Sequence, residues 1–241
     1  MRRGLIAVVA GVIIAANLAL LPWNEALFHA GDRDKTAVGV LLEALGEVRT
    51  FMAQSIWFNI DIYHHEMEAE GINWKDERDL MSMYRMVTTL DPRFAEAYDV
   101  ASFQLVQNFH RVDEGLAYLD EGLQNNPTNA QLWFNKAFLM YALKRYPECA
   151  EAAARAMGLY APDPVALLEM SHTDRIDFMN ALRLLTHAED KMGNHAATVN
   201  ALRIWLLLIP NDAYARERLE ALNEEPRGYT KQQFLEMMRP R

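Results

Sequence analysis

The chain has 241 residues, a net charge of −9 and one cysteine, Cys149. No basic stripe is available to displace phosphate counterions, which argues against a nucleic-acid partner, and one thiol can form neither an intramolecular disulfide nor a thiolate metal cluster. Ala, Leu, Glu and Met are abundant against 11 Gly and 9 Pro, and alternating Val/Ile/Thr runs are missing, so the expected fold class is all-α.

The N-terminus opens on Arg2 and Arg3, followed by the 18-residue apolar stretch Gly4 to Leu21 (GLIAVVAGVIIAANLALL) and then Trp23. At about 1.5 Å per residue that stretch spans roughly 27 Å, close to the hydrocarbon thickness of a bilayer. Residues 1–24 are therefore expected to be a transmembrane signal-anchor that meets the lipid bilayer through residues 4–21. The basic flank would keep the N-terminus cytoplasmic and place the rest on the extracytoplasmic side, in a periplasm or at the cell surface. A cleaved signal peptide is the alternative, although Asn17 or Phe28 falls where a cleavage site needs a small residue. Residues 25–43 read as a short amphipathic linker around the charge cluster Asp32-Arg33-Asp34-Lys35.

A long helix is expected from about Gly46 to Glu70. Val48, Phe51, Met52, Ile56, Phe58, Ile60 and Tyr63 cover so much of its circumference that it must be sandwiched between neighbours. A second helix, Lys75 to Leu90, carries Leu80, Met83, Tyr84 and Val87 at helical spacing and stops at Asp91-Pro92. This pair makes a first unit, about 44–94. The second unit, 95–129, pairs Ala95–Phe109 (Tyr98, Ala101, Leu105) with Asp113–Gln124 (Leu116, Leu119, Leu123), and Asn125-Asn126-Pro127 ends it. The third, 130–162, pairs a helix through Leu132–Met140 with one that begins at Tyr146 and carries Pro147 in its first turn. Pro92, Pro127, Pro162 and Pro210 stand 35, 35 and 48 residues apart. Such a cadence of paired helices is the signature of a stacked helical repeat. The long last interval contains a surplus, about 163–178, which reads as an inserted loop or short helix, either functional or slack. A fourth unit at 179–212 and a polar-faced closing helix at 213–223 follow. In the tail, 224–241, Thr230 can cap a helix over Lys231–Met238. Its Phe234, Leu235, Met237 and Met238 would dock on the array or on a partner.

The third unit places Trp133, Ala137, Met140, Tyr146, Cys149, Ala153 and Ala156 before Pro162. The second places Tyr98, Ala101, Ser102, Leu105, Gly115, Leu119, Gly122 and Pro127, with one extra residue in its turn. The fourth places Leu182, Leu185, Gly193, Leu202 and Pro210. These residues resemble the tetratricopeptide repeat (TPR) pattern over roughly residues 44–223. The segments Met52–Phe58 and Leu90–Phe94 are also similar to membrane-anchored repeat proteins of bacteria. The resemblance implies a short α-solenoid of helix–turn–helix repeats whose first helices line a concave groove. The lining residues would be Asp99, Phe103, Val106 and Gln107 from unit two, Gln131, Phe134, Phe138 and Tyr141 from unit three, and Arg183, His187 and Lys191 from unit four. An aromatic middle with a basic end suits an extended or helical protein segment with apolar anchors; alternatively Phe134 and Phe138 pack against the neighbouring unit. Asn135 and Lys136 do not recur in the adjacent unit, which speaks against a grip on a C-terminal carboxylate.

No phosphate loop, nucleophile elbow or paired-cysteine motif occurs. The string His64-His65-Glu66-Met67-Glu68 lacks the second zinc-protease histidine, since position 69 is Ala69. A weak metal site there, in an enzyme, is the remote reading against a solvated helix end. His110, His172 and His195 are scattered singly, no acid/base pair can be named, and no cofactor is expected. The functional expectation is a non-enzymatic, membrane-anchored scaffold that assembles an envelope or surface complex, or a permanent accessory subunit of a larger membrane or filament complex.

Overall fold

The computed structural model describes residues 37–71 and 80–238. Every regular element among them is helical. The chain divides into two compact units, Met1–Arg49 and Thr50–Arg241. The described part of the first is the opening of α1 (Ala37–Ala69), and the remainder of α1 belongs to the second. The helix therefore starts well before Gly46, and residues 37–43, expected as linker, are helical. Gly39 and Gly46 did not stop it, since a lone glycine only weakens a helix and no proline interrupts this run. The apolar stretch at residues 4–21 lies outside the described residues.

Ten α-helices follow among the described residues of the second unit. They are α2 (Leu80–Leu90), α3 (Ala95–Phe103), α4 (Val112–Asn125), α5 (Ala130–Ala142), α6 (Tyr146–Tyr160), α7 (Pro164–Glu169), α8 (His172–Lys191), α9 (His195–Leu208), α10 (Ala213–Ala221) and α11 (Lys231–Met237). Helices α3 and α4, α5 and α6, and α8 and α9 pair as hairpins, and α3–α5, α5–α8, α6–α8 and α9–α10 pack between hairpins.

Two kinds of helix end recur. The first helix of each hairpin closes through a residue in left-handed conformation: His110 (φ 56°), Lys144 (φ 60°), Gly193 (φ 72°) and, after α10, Asn223 (φ 59°). The next N–H then reaches back five residues, Arg145 to the Met140 carbonyl at 2.8 Å, Asn194 to Glu189 at 2.9 Å and Glu224 to Leu219 at 2.9 Å. That bond satisfies a carbonyl the helix end would orphan. In the first hairpin the bond spans six residues, from Arg111 to Leu105 at 2.8 Å. The extra residue evident in the sequence is absorbed there by a π-helical turn, Gln104–Asn108, that continues α3.

The second kind of end precedes each proline. Asp91, Asn126, Ala161 and Ile209 donate their last helical N–H to the carbonyl four residues back, at 2.8, 2.9, 2.8 and 2.8 Å. Asn126, Ala161 and Ile209 have φ of −133°, −133° and −132°. This is the extended geometry that the proline ring forces on its predecessor.

The buried apolar residues form three clusters along the hairpins. Tyr98, Leu119 and Leu132 are fully buried in the first. Between α5, α6 and α8 the contact is made by Ala137, Cys149, Ala153, Ala156 and Ala188, all fully buried, so the backbones approach closely. Burial pushes the Cys149 thiol up to about 12, which leaves it a small inert filler. Segment 163–178 holds the short helix α7, one of the two forms expected of it, and the first turns of α8. Asp163 caps α7 by accepting the Val165 and Ala166 N–H groups, both at 2.9 Å, and Leu167 and Met170 enter the core. Ser171 then caps α8, accepting from the Asp174 N–H at 3.2 Å. Helix α8 thus begins two turns before Met179. The tail docks on this part of the array: Phe234 is 2% exposed, Thr230 and Gln233 form a reciprocal capping box, and the Tyr229 hydroxyl donates to Asn200 at 2.8 Å.

Glycine substitutions separate close packing from helix propensity. A Cβ at Gly122 would stand 2.6 Å from Tyr98 Cγ, whereas a Cβ at Gly158 meets nothing within 4 Å. Gly122→Ala is expected to destabilise by about 2 kcal/mol through overpacking, and Gly158→Ala to stabilise by about 0.5 kcal/mol by favouring the helix. Urea unfolding of both variants tests this, and shifts of the same sign would refute it.

Candidate functional site

The first helices set their exposed side chains edge to edge. On α3, Asp99 and Phe103 share a face at i, i+4; on α5, Gln131 and Phe138 do so at i, i+7. The two helices place these residues as matching rungs. Gln131 Nε2 donates to Asp99 Oδ2 at 3.4 Å, and the Phe103 and Phe138 rings lie 5.9 Å apart. Both phenylalanines remain 37% exposed. A third rung continues from α5 through α8 to α10, with Tyr141 and His187 rings 6.3 Å apart and His187 and Tyr214 rings 5.3 Å apart. The Tyr214 hydroxyl and His187 Nδ1 are within hydrogen-bond distance at 3.1 Å. Beside this rung Arg183 lies 5.3 Å from the Trp205 ring and donates to Asn180 at 3.2 Å.

Two expectations are corrected. Val106 is 5% exposed and belongs to the core. The π turn rotates the residues after Phe103 by one position, which aims Val106 at Gly115, where an added Cβ would be 2.6 Å away. Gln107, on the same turn, is half-buried. The basic end is also smaller than the sequence implied. Burial lowers the pKa of His187 below its ordinary value, so it is neutral near pH 7, leaving Arg183 and Lys191 as the exposed cations named for that end. Phe134 is half-buried and Tyr141 partly so.

Asn135 and Lys136 are engaged within the array. Asn135 donates to the Asp99 carbonyl at 2.9 Å and to Ser102 Oγ at 3.0 Å, tying α5 to α3. Lys136 pairs with Asp120 at 2.8 Å. Neither offers itself to a terminal carboxylate.

Tyr160 and Tyr214 were not among the residues read from sequence. The Tyr160 hydroxyl donates to Gln131 Oε1 at 3.4 Å, adding α6 to the first rung. Burial, and then Asp177, Asp99 and Asp174, push the phenol up to about 12. Tyr214 occupies the closing helix, which was read only as a cap; its place one residue into a new first helix was the available signal.

The His64 and His65 rings lie 5.8 Å apart, and the Glu68 side chain lies outside the described residues. Among the described residues no group of three or more His, Cys, Asp or Glu side chains is placed to hold a metal. No helix among them is long and apolar enough to cross a membrane. Comparison with protein-family models gives no match, and comparison with curated proteins gives none either.

Burial raises the Asp99 carboxyl from 3.8 to about 6, with Gln131 and Asn135 hydrogen bonds working the other way. A carboxyl raised in the folded state contributes stability that is full below its unfolded pKa and lost as pH climbs through the folded one. Asp99→Asn removes that titration. Its stability relative to the native chain should therefore grow from pH 4 to above pH 6 and then level off. Thermal melts across this range check it; a difference independent of pH would contradict the assignment.

Proposed function

We propose that the chain is a TPR-type scaffold that holds a protein partner along the exposed face of its first helices, with residues 4–21 anchoring it in a membrane. The N-terminus would be cytoplasmic and the array extracytoplasmic, where it assembles an envelope or surface complex. The observation that carries the docking reading is the Phe103–Phe138 rung. Two adjacent aromatic rings stand 37% exposed on neighbouring helices, flanked by the polar pairs Asp99–Gln131 and Tyr141–His187. An apolar centre ringed by polar groups is the composition of a binding hot spot. The recurrence of one left-handed turn and one pre-proline end through the hairpins supports the repeat assignment. The basic-flanked apolar stretch supports the anchor.

Capture from a detergent extract tests docking. The native chain should enrich a partner set that Phe103→Ala/Phe138→Ala loses at unchanged melting temperature. Identical sets, or none with the native chain, would overturn the reading. Alkaline extraction should leave the chain in membranes and release one lacking residues 1–24; release of both would refute the anchor.

A second reading, a permanent accessory subunit, is favoured by α1. Phe51 is 68% and Phe58 67% exposed, seven residues apart on one face, an apolar surface of the kind long-lived interfaces cover. Phe51→Glu/Phe58→Glu should then abolish co-purification at fixed stoichiometry through a salt wash. Unaltered stoichiometry would exclude α1 as the interface.

A further inference from the structure

We infer that the segment held on this face is basic: a protein segment with an apolar anchor for Phe103 and Phe138 and lysine or arginine side chains directed to the carboxylates at the adjoining end. The inference rests on the docking reading above and adds the partner's charge and direction.

Three carboxylates lie on the elements around the first rung. Asp99 comes from α3, one turn before Phe103, and Asp174 and Asp177 come from the two turns by which α8 exceeds the expected start of its unit. The Tyr160 hydroxyl is joined through Gln131 to Asp99 by contacts of 3.4 Å each, and α6, which carries Tyr160, packs on α8, which carries Asp174 and Asp177; Asp174 also accepts from Ser171 Oγ at 2.6 Å, and all three carboxylates raise the Tyr160 phenol. Glu96, on the preceding turn of α3, bears on Asp99 as well. Among the described residues none of these four forms an ion pair, whereas four other carboxylates on the array are matched to cations across helices. Arg85 pairs with Glu121, Lys136 with Asp120, Arg203 with Glu224 and Arg218 with Asp190.

The apolar rung is thus continuous at one end with unneutralised negative charge. A cation arriving there recovers Coulomb energy that the array itself leaves unused, beside a partly buried carboxylate where screening is weak. At the other end Arg183 and Lys191 are exposed. The face is therefore polarised, and a bound segment has its basic residues over Asp99 and Asp177 and its neutral or acidic residues toward Arg183. The same charge disfavours anionic lipid headgroups and nucleic acid at this end, which leaves a polypeptide as the occupant.

Selection of displayed random-sequence peptides on the full chain in neutral-lipid nanodiscs, counter-selected on Phe103→Ala/Phe138→Ala, tests the inference. Enriched peptides should carry lysine or arginine next to an apolar residue. A synthetic representative should bind about tenfold more weakly to Asp174→Asn/Asp177→Asn and lose affinity as salt is raised, with melts confirming that each variant is folded. Enriched peptides that lack basic residues, or a basic peptide indifferent to Asp174→Asn/Asp177→Asn, overturn the charge assignment while the docking reading stands. Absence of any enrichment over the phenylalanine variant overturns both.

Discussion

A proline disfavours helical geometry in the residue before it, and that restriction ends the second helices of the array. Asn126, Ala161 and Ile209 all sit at φ near −132° because the ring that follows excludes the helical well. Each second helix therefore stops at a set point, with its last N–H still bonded four residues back. The following first helix then starts at nearly the same offset every time. Without that stop, the Asp99–Gln131, Phe103–Phe138 and Tyr141–His187 rungs would slide out of register, since each depends on neighbouring first helices starting level. The left-handed closures at His110, Lys144 and Gly193 set the other half of the geometry by folding each second helix back on its first.

Small residues convert equal lengths into close contact. Gly122 lies under the Tyr98 ring, and Gly115 lies under Val106 and Leu105. The Ala137–Cys149–Ala153–Ala188 seam does the same where α5, α6 and α8 meet. Close approach consumes the apolar surface of the helices on the inner side. On α3 and α5 the outer side keeps Phe103 and Phe138 partly exposed. The exposed rung is thus a consequence of how the stack is packed, and its two adjacent, partly exposed phenylalanine rings are the feature on which the proposed docking role rests.

Much of the organisation was legible because prolines and glycines act through local sterics that need no tertiary context. The helix before Pro92 ended at the expected Leu90, the one before Pro127 ended one residue past the expected Gln124, and Thr230 capped the last helix as expected. Where the reading failed, packing or a weak local signal decided. Helix α1 ran past Gly39 and Gly46 because glycine lowers helix propensity without forbidding it. The start of α8 was legible in Ser171 and Asp174, a cap spacing overshadowed by the 35-residue proline steps. Val106 misled because one additional residue, taken up as a π turn, rotated everything after Phe103; the sequence shows an extra residue but not which helical turn will widen to hold it. Tyr160 was unreadable as a site residue, since its partner Gln131 lies 29 positions away on another helix.

The long interval between Pro162 and Pro210 gains a physical meaning from these corrections. Had the surplus formed a loop, it would have left the first rung with Asp99 alone. Instead α7 plugs the core with Leu167 and Met170, and the remaining residues lengthen α8 by two turns. A helix lengthened at its N-terminus tolerates acidic side chains there, because the dipole favours them. The extension thus carries Asp174 and Asp177 toward Tyr160 at little cost to α8 itself. The lengthening of α8 and the carboxylates beside Tyr160 therefore belong together: the added turns are the ones that carry Asp174 and Asp177.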